Sequence, residues 1–265
     1  MHFLTISDRG LVRSNNEDYV EGVQIRWSGP LGKVQDITAL LLADGMGGAA
    51  AGEFASMLAV RTTKDKLFEG ILNRPPEELL HTDLAEFLGK CFRQANEAIY
   101  QKSRENIDME GMGTTIVAAL IHEGIMTIGH VGDSRAYMLI EGNFRQITRD
   151  HSFVQELVDQ GKITPEQAKQ HPNRNVITRA LGVSAEVEPD CKRHELQKGD
   201  LLMICSDGLT GFAEDLDIAR ICKDAVAEKP IDLSALGNKL IELAKIGGGG
   251  DNVSVALYYH DPKSF

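Results

Sequence analysis

The chain has 265 residues, of which 42% are hydrophobic and 25% charged, with a formal net charge of -11. That length and apolar content support a substantial core in one large domain or two small ones, and the acidity argues against a surface built to grip an extended phosphate backbone, while one phosphate needs only one or two positive groups plus a metal. Strand-like runs are expected at 3–6, 19–25 and 37–43, followed by long helical patterns at 52–68 and 77–105. Further strands are expected at 115–121, 126–131, 136–140, 201–205 and 253–259, with helices at 215–227 and 233–245 before the last of them. Helices therefore come in pairs after strands. That order does not repeat the strand–helix–strand unit of a doubly wound parallel sheet, and it predicts mostly antiparallel sheets covered by antiparallel helix pairs.

No internal repeat, low-complexity tract or long Pro/Gly/Ser linker divides the chain, so a single domain over 1–265 is expected. Residues 152–174 stand apart as a surface insertion. A short helical pattern at 153–159 breaks at Gly161, and Thr164-Pro165-Glu166 opens a second short helix before His171-Pro172-Asn173. Long excursions of this kind often act as lids or binding elements. Cys91, Cys191, Cys205 and Cys222 have no CxxC spacing, which fits a reducing compartment. The first seven residues lack the features of a signal peptide, and no run approaches the roughly 18 apolar residues of a membrane span, so a cytoplasmic location is expected. The end at Phe265, just past the last strand, suggests a free-standing domain, with a monomer as the default.

The most informative pattern is a strand that ends or begins at an aspartate beside glycine. Ala39–Ala43 runs into Asp44-Gly45-Met46-Gly47-Gly48, Leu201–Cys205 into Ser206-Asp207-Gly208, and Thr127–Val131 into Gly132-Asp133-Ser134-Arg135. Gly247–Gly250 leads to Asp251-Asn252 and a strand, and Asn15-Asn16-Glu17-Asp18 precedes the strand at Tyr19. Each pair alone reads as a turn. Together they do not, because each abuts an apolar strand rather than a polar hairpin. Acids gathered at one sheet edge repel unless a cation lies among them. Ligands that are carboxylate and carbonyl oxygen, without paired His or Cys, select Mg²⁺ or Mn²⁺ over zinc or copper.

In this order, Ser7-Asp8-Arg9-Gly10, Arg13-Ser14-Asn15-Asn16-Glu17-Asp18, Ala43-Asp44-Gly45-Met46-Gly47-Gly48, Gly113-Thr114-Thr115, Val131-Gly132-Asp133-Ser134-Arg135, Thr178-Arg179-Ala180-Leu181-Gly182, Ser206-Asp207-Gly208-Leu209 and Gly250-Asp251-Asn252-Val253-Ser254 resemble the bacterial branch of the type 2C, metal-dependent (PPM) serine/threonine protein phosphatases, essentially end to end. The resemblance implies an α+β fold, a four-layer α-β-β-α sandwich. It implies a phosphatase of phosphoserine and phosphothreonine proteins that uses two Mn²⁺ or Mg²⁺ ions, with a third, weaker site. By motif, Asp44 would bridge both metals and the Gly45 carbonyl would complete the second site. Asp207 and Asp251 would complete the first, and Glu17 would serve the second through water. Asp18 would orient a metal-bound water, Asp133 with Asp207 would hold the third metal, and Arg13 would bind the phosphate. Two cations roughly 3.5 to 4 Å apart would hold a bridging hydroxide in line with phosphorus, and Arg13 would meet two equatorial oxygens as a planar fork.

Met46 stands where animal members carry a histidine suited to protonating the leaving group, so a metal-bound water is the default donor. His130 reads as packed, and His151 has no assignment. The 152–174 segment lies where family members carry a mobile flap and is expected to select substrates. The resemblance also implies pairing with an opposing serine/threonine kinase. Two other classes compete: a pseudophosphatase that binds phosphoproteins without turnover, and a two-metal nuclease. Intact Asp44, Asp207 and Asp251 count against the first, and the absence of a basic stripe or aromatic stacking run counts against the second.

Overall fold

The computed structural model describes residues 2–28, 34–73 and 82–261. Among the described residues, eleven strands form two sheets: β1 (Phe3–Asp8), β2 (Asp18–Ser28), β3 (Val34–Met46), β4 (Gly113–Thr114), β5 (Ile116–His122), β6 (Ile125–Val131), β7 (Arg135–Ile140), β8 (Asn143–Gln146), β9 (Asp190–Glu195), β10 (Leu201–Cys205) and β11 (Val253–Tyr259). One sheet has the order β1-β11-β10-β7-β8 and the other β2-β3-β5-β6-β9, with β4 paired to β3. All of these pairings are antiparallel.

The layering follows from strands that are apolar on both faces. In β3, Ala39, Leu41 and Ala43 face one side, packing with Ala55, Ala59, Phe92 and Ile99 of the helices α1 (Ala49–Leu72) and α2 (Leu84–Glu105). Leu40 and Leu42 face the other side and meet Ala136, Met138, Leu202, Ile204 and Ala256 of the second sheet. A strand buried on both faces reads as a continuous apolar run, and Ala-Leu-Leu-Leu-Ala is such a run. Beyond the second sheet, Leu201, Met203, Val255 and Leu257 pack against Ile218, Cys222, Leu236 and Leu240 of α6 (Asp215–Ala227) and α7 (Leu233–Ile246). The result is the expected α-β-β-α sandwich. Leu41 and Leu42 are fully buried, and truncating either to Ala would cost about 2–5 kcal/mol.

The second long helix departs from expectation. It starts at Leu84, where the Asp83 carboxylate accepts hydrogen bonds from the Ala85 and Glu86 amides and so fixes the N-terminus. The part of the expected helix at 77–81 lies outside the described residues, as does the chain end at Phe265. Strands β8 and β9, which the sequence reading did not anticipate, are edge strands. Between them lie α3 (Phe153–Asp159) and α4 (Pro165–Lys169), the latter opened by a capping box between Thr164 and Gln167. A short helix, α5 (Asp207–Thr210), follows β10. All four cysteines are free thiols. Among the described residues, no helix is long and apolar enough to cross a membrane.

Candidate metal centre

Strand register brings the acids to one end of the sandwich. Asp18 begins β2 and sits directly opposite Asp44, near the end of β3. In the other sheet, Asp207 follows the end of β10 and Asp251 precedes β11, two strands that are antiparallel neighbours. Asp133 lies in the turn between β6 and β7. The carboxyls feel one another across the two sheets. Burial raises the Asp44 pKa well above the ordinary 3.8, and Asp18, Asp207, Asp133 and Asp251 each push it further. Burial lifts Asp18 to about 7, with Asp207 and Asp251 adding to the rise while hydrogen bonds from Ser254 and Ser206 oppose it. Asp133 rises to about 8 through burial and the charges of Asp207 and Asp150. Asp207 is raised by burial and by Asp251, against a hydrogen bond with Asp44.

Glycine beside these acids is a packing requirement. A Cβ on Gly45 would collide with the Gly52 carbonyl in the first turn of α1, and one on Gly208 would collide with the Asn252 carbonyl. The Gly45 amide donates to the Glu17 carbonyl at 3.1 Å, and the Ser56 hydroxyl donates to the same oxygen at 2.6 Å. The Glu17 carboxylate lies over the Cα of Gly52. Burial raises the Glu17 pKa, with the Arg13 charge opposing and those of Asp251 and Glu53 assisting.

Arg13 reaches the cluster from the exposed rim. Its Nη2 donates to Asp251 Oδ2 at 2.8 Å, and about half of its side chain remains exposed. Arg135, which follows Asp133, is committed elsewhere: it grips both oxygens of Asp150, with Nη2 to Oδ2 at 2.7 Å and Nε to Oδ1 at 2.9 Å. Excess negative charge therefore remains at this end of the sandwich. Asp18 Oδ1 is buried without a hydrogen-bond partner. A hard divalent cation fits such a donor set, which is carboxylate throughout, with the backbone carbonyl of Gly45 close by.

Three supporting residues were not singled out from sequence. Ser206 donates through its hydroxyl to Asp18 Oδ2 at 2.8 Å. Asn252 accepts from the Glu17 amide at 2.8 Å and donates to the carbonyls of Arg9 and Asn15, thereby pinning the 9–17 loop to β11. The Thr115 hydroxyl accepts from the Asp44 amide at 3.0 Å, and the Thr115 amide donates to the Asp44 carbonyl at 2.9 Å. The signal for each lay in its neighbour: Ser206 adjoins Asp207, Asn252 adjoins Asp251, and Thr115 closes the Gly113-Thr114-Thr115 run. Met46 presents no proton donor. His130 is buried, as expected. Among the described residues, His130, His151 and Asp190 also bring ligand atoms within 4.8 Å of one another; this group is distinct from the aspartate cluster.

A family model described as protein phosphatase 2C matches residues 25–230. The chain belongs to the protein phosphatase 2C family. The matched span contains Asp44, Gly45, Asp133 and Asp207, while Arg13, Glu17, Asp18 and Asp251 flank it. The flanks are included in the likeness to individual members of the family. The serine/threonine protein phosphatase PstP of Mycobacterium tuberculosis is 40% identical over 259 residues, 97% of this chain, but this chain spans only 44% of PstP. The serine/threonine phosphatase stp of Listeria monocytogenes is 36% identical over 261 residues, covering 98% of this chain and 96% of that protein. Among solved structures, the catalytic domain of PstP in complex with two manganese ions is similar, with a TM-score of 0.76, 39% identity and 96% of each chain covered.

Proposed function

We propose that this chain is a metal-dependent phosphatase of phosphoserine and phosphothreonine in proteins, and that Asp44, Asp207, Asp251, Asp133, Glu17 and the Gly45 carbonyl hold Mn²⁺ or Mg²⁺. One observation carries the reading: five aspartates from both sheets converge at one end of the sandwich, burial and neighbouring charge raise the carboxyls of Asp18, Asp44, Asp133 and Asp207, and a buried carboxylate oxygen is left unpartnered. The likeness to a PstP catalytic domain holding two manganese ions supports two such ions here; a third, weaker ion at Asp133 and Asp207 is part of the proposal.

Bound cations would supply the positive charge that makes water nucleophilic at neutral pH and offsets charge on the phosphoryl group. The residues do the rest. Asp44, held by Thr115 on its main chain, feels the charges of Asp18, Asp133, Asp207 and Asp251. Asp18, fixed by Ser206, keeps one oxygen free to accept a proton or a hydrogen bond from attacking water. Arg13, half-exposed and bonded to Asp251 through Nη2, can present a planar fork to two phosphoryl oxygens. Met46 offers no proton to the leaving alkoxide, and in this proposal water within the site would supply it. We further propose that the chain is a single monomeric cytoplasmic domain, that 152–174 acts as a substrate-selecting flap, and that its substrates include proteins phosphorylated by an opposing serine/threonine kinase.

The test is phosphate release from a phosphothreonine peptide by chelator-stripped protein with and without Mn²⁺, alongside folded Asp44→Asn and Asp207→Asn variants. Release that requires Mn²⁺ and falls at least about 10³-fold in both variants supports the proposal. A folded, metal-loaded wild type that binds phosphopeptides without releasing phosphate would be a binding module instead.

A further inference from the structure

His151 lies outside the aspartate cluster, yet its hydrogen bonds reach both the Gly132-Asp133 turn and Thr178. Its amide donates to the Gly132 carbonyl at 2.9 Å, and its Nδ1 accepts from the Gly132 amide at 3.1 Å, so one residue clasps both polar groups of the glycine that precedes Asp133. Its carbonyl accepts from the Thr178 amide at 2.8 Å. Next to it, Ser152 and Ile177 form an antiparallel bridge that closes the 152–174 excursion at its base.

The ring is buried, and its orientation is fixed by chemistry. Because the Gly132 amide is a donor, Nδ1 must be the bare nitrogen and the proton must sit on Nε2, which donates to Asp190 Oδ2 at 3.3 Å. His130 stacks on the other face at 4.6 Å between centroids and is itself held to the Arg149 carbonyl at 2.7 Å. Burial and the neighbouring His130 push the His151 pKa down to about 4, so the ring stays neutral and Nδ1 remains an acceptor under physiological conditions. The trio His130, His151 and Asp190 does not read as a metal site. Arg179 Nη1 lies 3.6 Å from Asp190 Oδ1 and 3.4 Å from His151 Nε2, so a guanidinium already occupies the cation position.

We infer that His151 is a positioning residue that couples the Gly132-Asp133 turn to the base of the 152–174 flap, clasping Gly132 through ring and main chain while its carbonyl holds Thr178. The geometric half of this inference stands on hydrogen bonds alone. The consequence for metal rests on the proposed role of Asp133.

The two halves are tested separately on the full chain. Amide hydrogen exchange on chelator-stripped protein compares wild type with His151→Asn, His151→Gln and His151→Ala. Asparagine carries its amide oxygen on the atom where histidine carries Nδ1 and can still accept from Gly132, whereas glutamine reaches only toward Asp190. Expected is an increase of about 10-fold in exchange at Gly132 and Thr178 together for Gln and Ala, with Asn within about 2-fold of wild type. Unchanged exchange in Gln and Ala, or equal acceleration in Asn, overturns the clasp. Should the Gln and Ala chains fail to fold, Asp190→Ala, which removes the acceptor at Nε2, must accelerate exchange at Gly132, and no acceleration overturns it. Calorimetric titration with Mn²⁺ then reads the coupling: the weakest site should lose about 10-fold in affinity in Gln and Ala but not in Asn, with tighter sites unchanged. Identical isotherms despite faster exchange overturn the link to metal. A wild type that binds no Mn²⁺ overturns that link together with the proposed function, and the exchange result still decides the clasp.

Discussion

The Ser206 hydroxyl donates a 2.8 Å hydrogen bond to Asp18 Oδ2, joining the end of β10 in one sheet to the start of β2 in the other. Ser206 is completely buried, and its hydroxyl also accepts from the Ser254 amide at 3.0 Å. Replacing it with Ala would remove the Ser206 hydroxyl from Asp18 Oδ2 and leave the Ser254 amide without that acceptor. Ser206→Ala is expected to lose about 1–3 kcal/mol of stability in urea titration and to reduce kcat more than it changes KM for a phosphopeptide. Wild-type stability and kcat in the variant would remove Asp18 from the proposed chemistry.

Arg13 allows stability and function to be separated. Its bond to Asp251 is largely exposed and worth little to folding, whereas the planar fork that would meet a phosphoryl group has no equivalent in lysine. Arg13→Lys is expected to keep its melting temperature within about 2 °C while kcat/KM falls about 10- to 100-fold, the equivalent of one charge-assisted hydrogen bond. Thermal melts beside steady-state kinetics measure both.

Crowded carboxyls give a signature in stability against pH. Asp18 and Asp133 have folded pKa values raised to about 7 and about 8, and Asp44 and Asp207 are raised as well, above an ordinary 3.8. Above about pH 6.5 the buried histidines, whose folded pKa values are lowered, are neutral in both states, so the raised carboxyls leave the folded chain holding more protons than the unfolded one, and its stability falls as pH rises toward 8. Chelator-stripped protein is expected to melt lower at pH 8 than at pH 6.5. Added Mn²⁺ should raise the melting temperature, and more strongly at pH 8, because cations compete with protons for the same oxygens. A metal increment independent of pH would contradict the cluster as the binding site.

The 152–174 segment carries two short helices, α3 and α4, and meets the rest of the fold at the Ser152–Ile177 bridge. Replacing it with a short linker is expected to lower rates on phosphopeptides at least about 10-fold more than on p-nitrophenyl phosphate, which is too small to touch it. Equal losses on both substrates would mean that the segment does not select substrates.

Much of this was legible because burial writes a pattern. Ala39–Ala43 had to be apolar on both faces, and the acids that end such strands stood out against it. Strands β8 and β9 were not legible. Phe144 is the one apolar residue in β8, and in β9 Cys191 and His194 stand three apart among charged residues, so neither edge strand carries an apolar period. The supporting residues escaped for a different reason. Ser206 meets Asp18 across 188 positions, and Asn252 meets Glu17 across 235. No local spacing encodes a contact between strands of different sheets. His151 was visible only as a histidine beside an aspartate, because its meaning lies in the Gly132 amide, a backbone group that every glycine possesses.

Anomalous diffraction from crystals grown with Mn²⁺ tests the central claim most directly. The account predicts two strong peaks, each within about 2.5 Å of an Asp44 oxygen or the Gly45 carbonyl, with one of them also touching Asp207 and Asp251. A peak among His130, His151 and Asp190, with none at Asp44, would contradict it.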